Sequence, residues 1–220
     1  MRMSAKWTAA GLVLALVSGC VGGSVQKRDP KSYLKDRAEK PMDQRKKVAV
    51  ADFVDKSDYG RERVGAAAAD ILNTALVESE QFKVFERERL SKVIDEQKLG
   101  QSGAVDPTTA AKAGQLVGVD YVLCGTVSNV GFRVESMNAI LVQQKKQIAE
   151  VVVDVRMVDA TTGQIIFAKQ GDGYADRVAS GSLGLGGRMS YDQTLLGEAL
   201  RAAIFQMLDE MIDKAERTGR

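Results

Sequence analysis

Any chemistry performed by this 220-residue chain must proceed without histidine, because the sequence contains none. That removes the commonest general base, the Ser-His and Cys-His nucleophile pairs, and imidazole-ligated zinc. The two cysteines, Cys20 and Cys124, are too few for a disulfide framework. Cys124 sits in the apolar run Asp120 to Val127, which reads as a buried strand. A lone thiol there is expected to be a small core residue. Asp and Glu side chains fall on the wet faces of helical patterns, where charges are usual. No catalytic residue, metal or cofactor is expected, and the chain is not read as an enzyme.

Cys20 is different. Arg2 and Lys6 form a positive start, and Trp7 to Val17 is an apolar stretch too short to span a bilayer as an ordinary helix. It ends in Leu16-Val17-Ser18-Gly19-Cys20, which resembles a bacterial lipobox. There the small residues admit a signal peptidase, and the cysteine thiol accepts a diacylglycerol. Residues 1–19 are thus expected to be a signal peptide and Cys20 the acylated first mature residue. A triacylated cysteine buries enough methylene groups to hold a protein on a membrane. Val21 follows, where an Asp would suggest retention at the inner membrane. The expected location is the outer membrane of a Gram-negative bacterium, with the main domain on the periplasmic side.

Composition fits a globular chain: 45% apolar, 27% charged and only 5% aromatic, so the core must be aliphatic. Without Arg2 and Lys6 the mature chain carries 29 basic and 29 acidic residues. Residues 20–47 hold nine basic residues and four acids, a balance of +5, which leaves −5 on 48–220. The folded part shows no basic excess, so nucleic acid is not an expected partner. Residues 20–45 read as a tether. It is either a solvated linker or a segment drawn to anionic head groups.

The elements follow from periodicity. Lys47 to Val54 is a short apolar strand. Val64, Ala67, Ala68, Ile71, Leu72, Ala75 and Leu76 trace one helix face. Phe82 to Phe85 is a second strand, and Leu90, Val93 and Ile94 mark a second helix. Asp106-Pro107 starts a third, which stops at Gly118 before the strand around Tyr121. Val151 to Val158 alternates and faces Gln164 to Lys169 across a glycine turn. A last helix, Gln193 to Ala215, carries a wide apolar stripe, with Ser190 and Gln193 as a capping box. The expected fold is α/β (α+β), a mixed sheet flanked by helices, over residues 46–220.

Two segments interrupt this scheme, 128–150 and 170–189. Each has the length of a hairpin of two strands of roughly ten residues, which crosses a bilayer when tilted. In the first, Val130, Phe132 and Val134 alternate with Arg133 and Glu135, and Ile140 and Val142 follow. Those five apolar residues are the membrane-facing candidates. Soluble hairpins or loops are the other reading.

Several phrases resemble the CsgG family of curli secretion channels and holdfast-anchoring lipoproteins. They are Val48-Ala-Val-Ala-Asp-Phe53, Ala75-Leu76 with Phe82 to Arg87, Leu90 to Gly103, Val119 to Val122 with Gly125-Thr-Val127, and Val158 to Ile165. The resemblance implies a periplasmic domain repeated around a homo-oligomeric ring. Each subunit would give two hairpins to a shared outer-membrane barrel. It also places a constriction in the loop after the first strand. Here that loop, Asp55 to Arg63, is short, with Asp58 and Tyr59 as pore candidates.

Two functions follow. One is a ring or channel that exports or anchors a surface protein, fibre or adhesin. The alternative is a non-channel periplasmic lipoprotein that binds a partner, resembling LpoB-type activators of peptidoglycan synthases. Partners are then the protein itself, outer-membrane lipid, and an exported or anchored protein.

Overall fold

The computed structural model describes residues 37–59, 63–85, 92, 107–139, 142–181 and 193–218. Its strands are β1 (Lys46–Val50), β2 (Val54–Asp55), β3 (Phe82–Phe85), β4 (Tyr121–Ala139), β5 (Val142–Asp159) and β6 (Ile165–Gly181). Its helices are α1 (Val64–Glu78), α2 (Pro107–Val117) and α3 (Gln193–Thr218). The strands form one mixed, open sheet in the order β3-β1-β4-β5-β6, with β2 beside β4.

The parallel half holds β1 between β3 and β4. Its strands are covered on both faces, so Val48, Ala49 and Val50 form an unbroken buried run. One face carries α1 and α3 over the main core, which is mostly Val, Leu, Ala, Ile and Met. The other face carries a smaller cluster of Ala49, Ala51, Ala111, Val119, Val122, Cys124 and Val158 around α2. Cys124 is buried there, a packing residue in an aliphatic layer.

The antiparallel half is a three-stranded ribbon of β4, β5 and β6. The sequence pattern suggested two separate interruptions of the fold. The structure runs them into the neighbouring strands instead. Residues 128–139 and 142–150 form the far ends of β4 and β5, and 170–181 continue β6 along β5. The rest of the second segment, 182–189, lies outside the described residues, as do most of the expected helix at 90–94 and the Ser190 cap.

A bulge explains how this long ribbon keeps one apolar face. The register shifts between Val127 and Asn129. Before it, Leu123 and Val127 face the main core, and after it Val130 and Phe132 do. Without the extra residue the period-2 alternation would turn Asn129, Gly131 and Arg133 inward.

Helix α3 lies across β5 and β6, seated by two glycines. A Cβ at Gly171 would stand 2.3 Å from the Ala203 carbonyl oxygen, and one at Gly173 would stand 1.9 Å from that of Ala199. Only bare backbone allows this approach.

Helix α1 ends at Ser79, and Glu80 follows with φ 56°. The left-handed position after a helix belongs to glycine, and another residue there costs about 1–2 kcal/mol. Glycine also adds unfolded-state entropy. Glu80→Gly is therefore expected to stabilise by a net of about 1 kcal/mol and raise the melting temperature by roughly 2–4 °C. A melting temperature that stays or falls in thermal unfolding would show that the Glu80 side chain offsets its backbone strain.

Candidate functional site: an overhanging ribbon and a clamped N-terminal segment

The ribbon outruns its helix. Ala149 and Ala175 still pack in the main core with Leu195 and Leu196 near the start of α3. Arg177 reaches Glu198 of that helix at 3.9 Å. Beyond these residues the strands continue to Ala139, Val142 and Gly181 with no helix packed over them among the described residues.

The membrane-facing candidates separate into groups. Val130 and Phe132 are half-buried against the main core. Phe132 also stacks at a tilt on Tyr59, with ring centroids 5.1 Å apart. Val134, two residues further out, is 47% exposed. Val142 lies in β5 opposite Ala139 at the tip. Ile140 and Cys20 lie outside the described residues.

The short loop after β2 lies on the same face. The Asp55 carboxylate accepts hydrogen bonds from the Ser57 backbone N–H (2.9 Å) and hydroxyl (2.6 Å). That closes an Asx turn. Asp58 is exposed, while Tyr59 is half-buried on the core and on Phe132. The pore candidates therefore point differently: one into solvent, the other onto the ribbon.

The opposite face of the ribbon is charged. Arg133 pairs with Glu150 at 2.8 Å and with Glu135 at 3.4 Å. Lys146 pairs with Asp176 at 3.4 Å, and its ammonium lies 5.7 Å from the Tyr174 ring centre. These long side chains flank Ile148, which sits between Arg133 and Asp176 in the register. Ile148 is only 1% exposed although no helix is packed on that face among the described residues.

At the other end of the molecule the supposed tether is partly domain. Arg37 Nε donates to Asp209 of α3 at 2.9 Å, and its guanidinium also bonds Asp213 and lies 3.6 Å from Glu216. Lys40 donates to Glu216 at 2.6 Å, and Gln81 Nε2 donates to the Ala38 carbonyl at 3.0 Å. Arg45 donates to the Lys40 carbonyl at 2.7 Å and pairs with Glu39. Burial works against the Arg37 charge, but the bonds to Asp213 and Asp209 outweigh it and hold its pKa above the usual value. Periodicity could not find this segment, because it is held by side chains and not by a repeating apolar face. Its one signal was the basic excess set against acidic positions on α3.

No helix among the described residues is long and apolar enough to cross a membrane, which says nothing about strands. The family model for the curli production assembly/transport component CsgG matches residues 30–219. A Neisseria meningitidis serogroup B protein described as a lipoprotein is 30% identical over 179 residues, covering 77% of this chain and 76% of that one. Among solved structures, lipoprotein GNA1162 from Neisseria meningitidis is similar with a TM-score of 0.44 and 15% identity, covering 78% of this chain and 99% of its own. The LpoB C-terminal domain from Escherichia coli gives 0.41 and 19%, over 58% of this chain and 81% of that one. The phrases from Val48 to Ile165, the mixed sheet and the match over 30–219 agree: the chain belongs to the CsgG family.

Proposed function

We propose that the protein is an outer-membrane lipoprotein, anchored through Cys20, whose domain and ribbon stay outside the bilayer and act by binding protein, including copies of itself. The Leu16 to Cys20 motif and the relative described as a lipoprotein support the anchor. The make-up of the ribbon carries the rest. Past α3, from Val134 to Ala139 and Val142 to Gln147, about six residues per strand remain, roughly 20 Å. A tilted membrane strand needs about 9–11. Charge stands on both faces there: Glu135 and Lys146 on one, Lys145 and Arg177 on the other. A lipid-facing strand needs one apolar face, since Arg or Lys at mid-bilayer costs about 2–4 kcal/mol. β6 ends the described sheet, and its edge suits strand addition.

The channel or anchoring ring is a second reading. One observation favours it: β4, β5 and β6 run 19, 18 and 17 residues, far beyond ordinary strand length. Planar-bilayer conductance separates the two. The lipoprotein reading predicts no conductance steps from purified full-length protein. Steps whose size rises with Tyr59→Ala, or whose cation preference falls with Asp58→Asn, would establish a pore lined by that loop and overturn it.

A further inference from the structure

Asp209, Asp213 and Glu216 lie at spacings of four and three on α3, so they form one acidic stripe. They sit in the C-terminal half of the helix, where the macrodipole disfavours anions. Like charges on adjacent turns repel as well. The stripe is offset by two cations from one short segment, Arg37 and Lys40. The charge balance has matching signs: residues 20–47 carry +5 and the remainder −5.

The place of this contact matters. Ala215 accepts a hydrogen bond from the Tyr121 hydroxyl, so the end of α3 lies at the start of β4. Ala199 and Ala203, earlier in α3, lie over Gly173 and Gly171 further up the ribbon. Arg37 is therefore at the base, and Ala139 and Val142, the far ends of β4 and β5, are at the opposite pole. The 19 residues of β4 separate them by about 60 Å.

We propose that Arg37 and Lys40 form an electrostatic strap that fixes the exit of the membrane tether at the base of the domain, so that the ribbon tip points away from the membrane holding Cys20. This rests on the lipid-anchor reading. With the strap closed, only Cys20 to Arg37 is left as tether, and 17 residues reach no more than about 60 Å. A tip turned toward the same membrane would require the tether to run back along the domain and use much of that length. A tip turned away leaves the whole reach available and keeps its charges in water.

Trypsin tests the strap on the full-length protein. Lys35 is the last basic residue before the strap, so the wild-type core should begin at Asp36. Arg37 and Arg45 should resist cleavage. In Asp209→Asn/Asp213→Asn, cleavage after Arg37 and Arg45 should speed up by about tenfold or more, because proteolysis follows the opened population. A core from Lys46 to Arg217 that stays resistant shows that the variant is folded; if that core is lost, Arg37→Ala, which leaves α3 unchanged, is read for cleavage after Arg45. Wild-type cleavage after Arg37 as fast as after Lys35, or no change in a folded variant, would overturn the strap. Orientation is read on vesicles of phosphatidylethanolamine and phosphatidylglycerol carrying a head-group quencher. Fluorophores are placed at Met42→Cys, near the base, and Ser136→Cys, near the tip. The base label should be quenched at least twofold more than the tip label, and equal or greater quenching at the tip would overturn the orientation. Protein that fails to sediment with vesicles counts against the Cys20 anchor alone, while the trypsin result still decides the strap.

Discussion

Gly173→Ala is expected to destabilise the protein by about 3 kcal/mol in urea unfolding, at the upper end of the range for overpacked cores. The added Cβ would sit 1.9 Å from the Ala199 carbonyl oxygen and 2.9 Å from a Val151 methyl. Backbone cannot rotate away as a side-chain tip can, so α3 must lift off the ribbon. Alanine would otherwise gain about 0.5–1 kcal/mol over glycine in a strand, and the clash outweighs that gain. Gly171→Ala meets the Ala203 carbonyl oxygen at 2.3 Å and is expected to cost somewhat less, about 2 kcal/mol. The double variant should cost less than the sum, because one lift of the helix relieves both contacts. A loss below about 0.5 kcal/mol for Gly173→Ala would mean that α3 is not seated on β6 as described.

Phe132→Asp carries the second large effect, and it distinguishes a soluble ribbon from a lipid-facing one. Phe132 packs on the main core and on Tyr59. Removing its ring and placing a carboxylate there is expected to cost about 3 kcal/mol, even in lipid-free Cys20→Ser protein. Val134→Asp, at a position 47% exposed, should stay within about 0.5 kcal/mol. Urea unfolding of both variants is the measurement. If the two residues faced lipid together, both substitutions would impair membrane assembly alike and neither would change the free domain.

Much of the fold was legible because it obeys simple periods. The face from Val64 to Leu76 became α1, and the stripe from Leu196 to Ile212 became α3. Asp106-Pro107 marked the start of α2, and Gly118 ends it with φ 78°. The hairpin around Asp159 to Gly163 is as expected, with Asp159 accepting from two threonine N–H groups and Gly163 at φ 75°.

The ribbon was less legible, for two physical reasons. The bulge beside Ser128 inverts the alternation, so one continuous face looks like two unrelated pieces. The glycines at 171 and 173 fall in the segment 170–189, read only as a hairpin or loop, because their role depends on a helix whose contacting residues arrive more than 20 positions later. The short loop was found, but the partner of Tyr59 was not. Phe132, one of the membrane-facing candidates, is distant in sequence, and alternation does not show what it packs on. Arg37 was placed in a tether because its partners lie some 170 residues away.

The decisive measurement is the partition between soluble and membrane fractions, after lysis without detergent, of Cys20→Ser protein exported behind a signal peptide that is cleaved without a lipobox. With the acyl anchor and the apolar leader both removed and the ribbon outside the bilayer, nothing should hold the protein on a membrane. Recovery in the soluble fraction is expected, with the core from residue 37 onward folded. Protein that lacks residues 1–19, sediments with membranes and resists extraction at alkaline pH or in urea would contradict a ribbon outside the bilayer, because with the apolar leader and the acyl chain both gone only strands in the bilayer would hold it there.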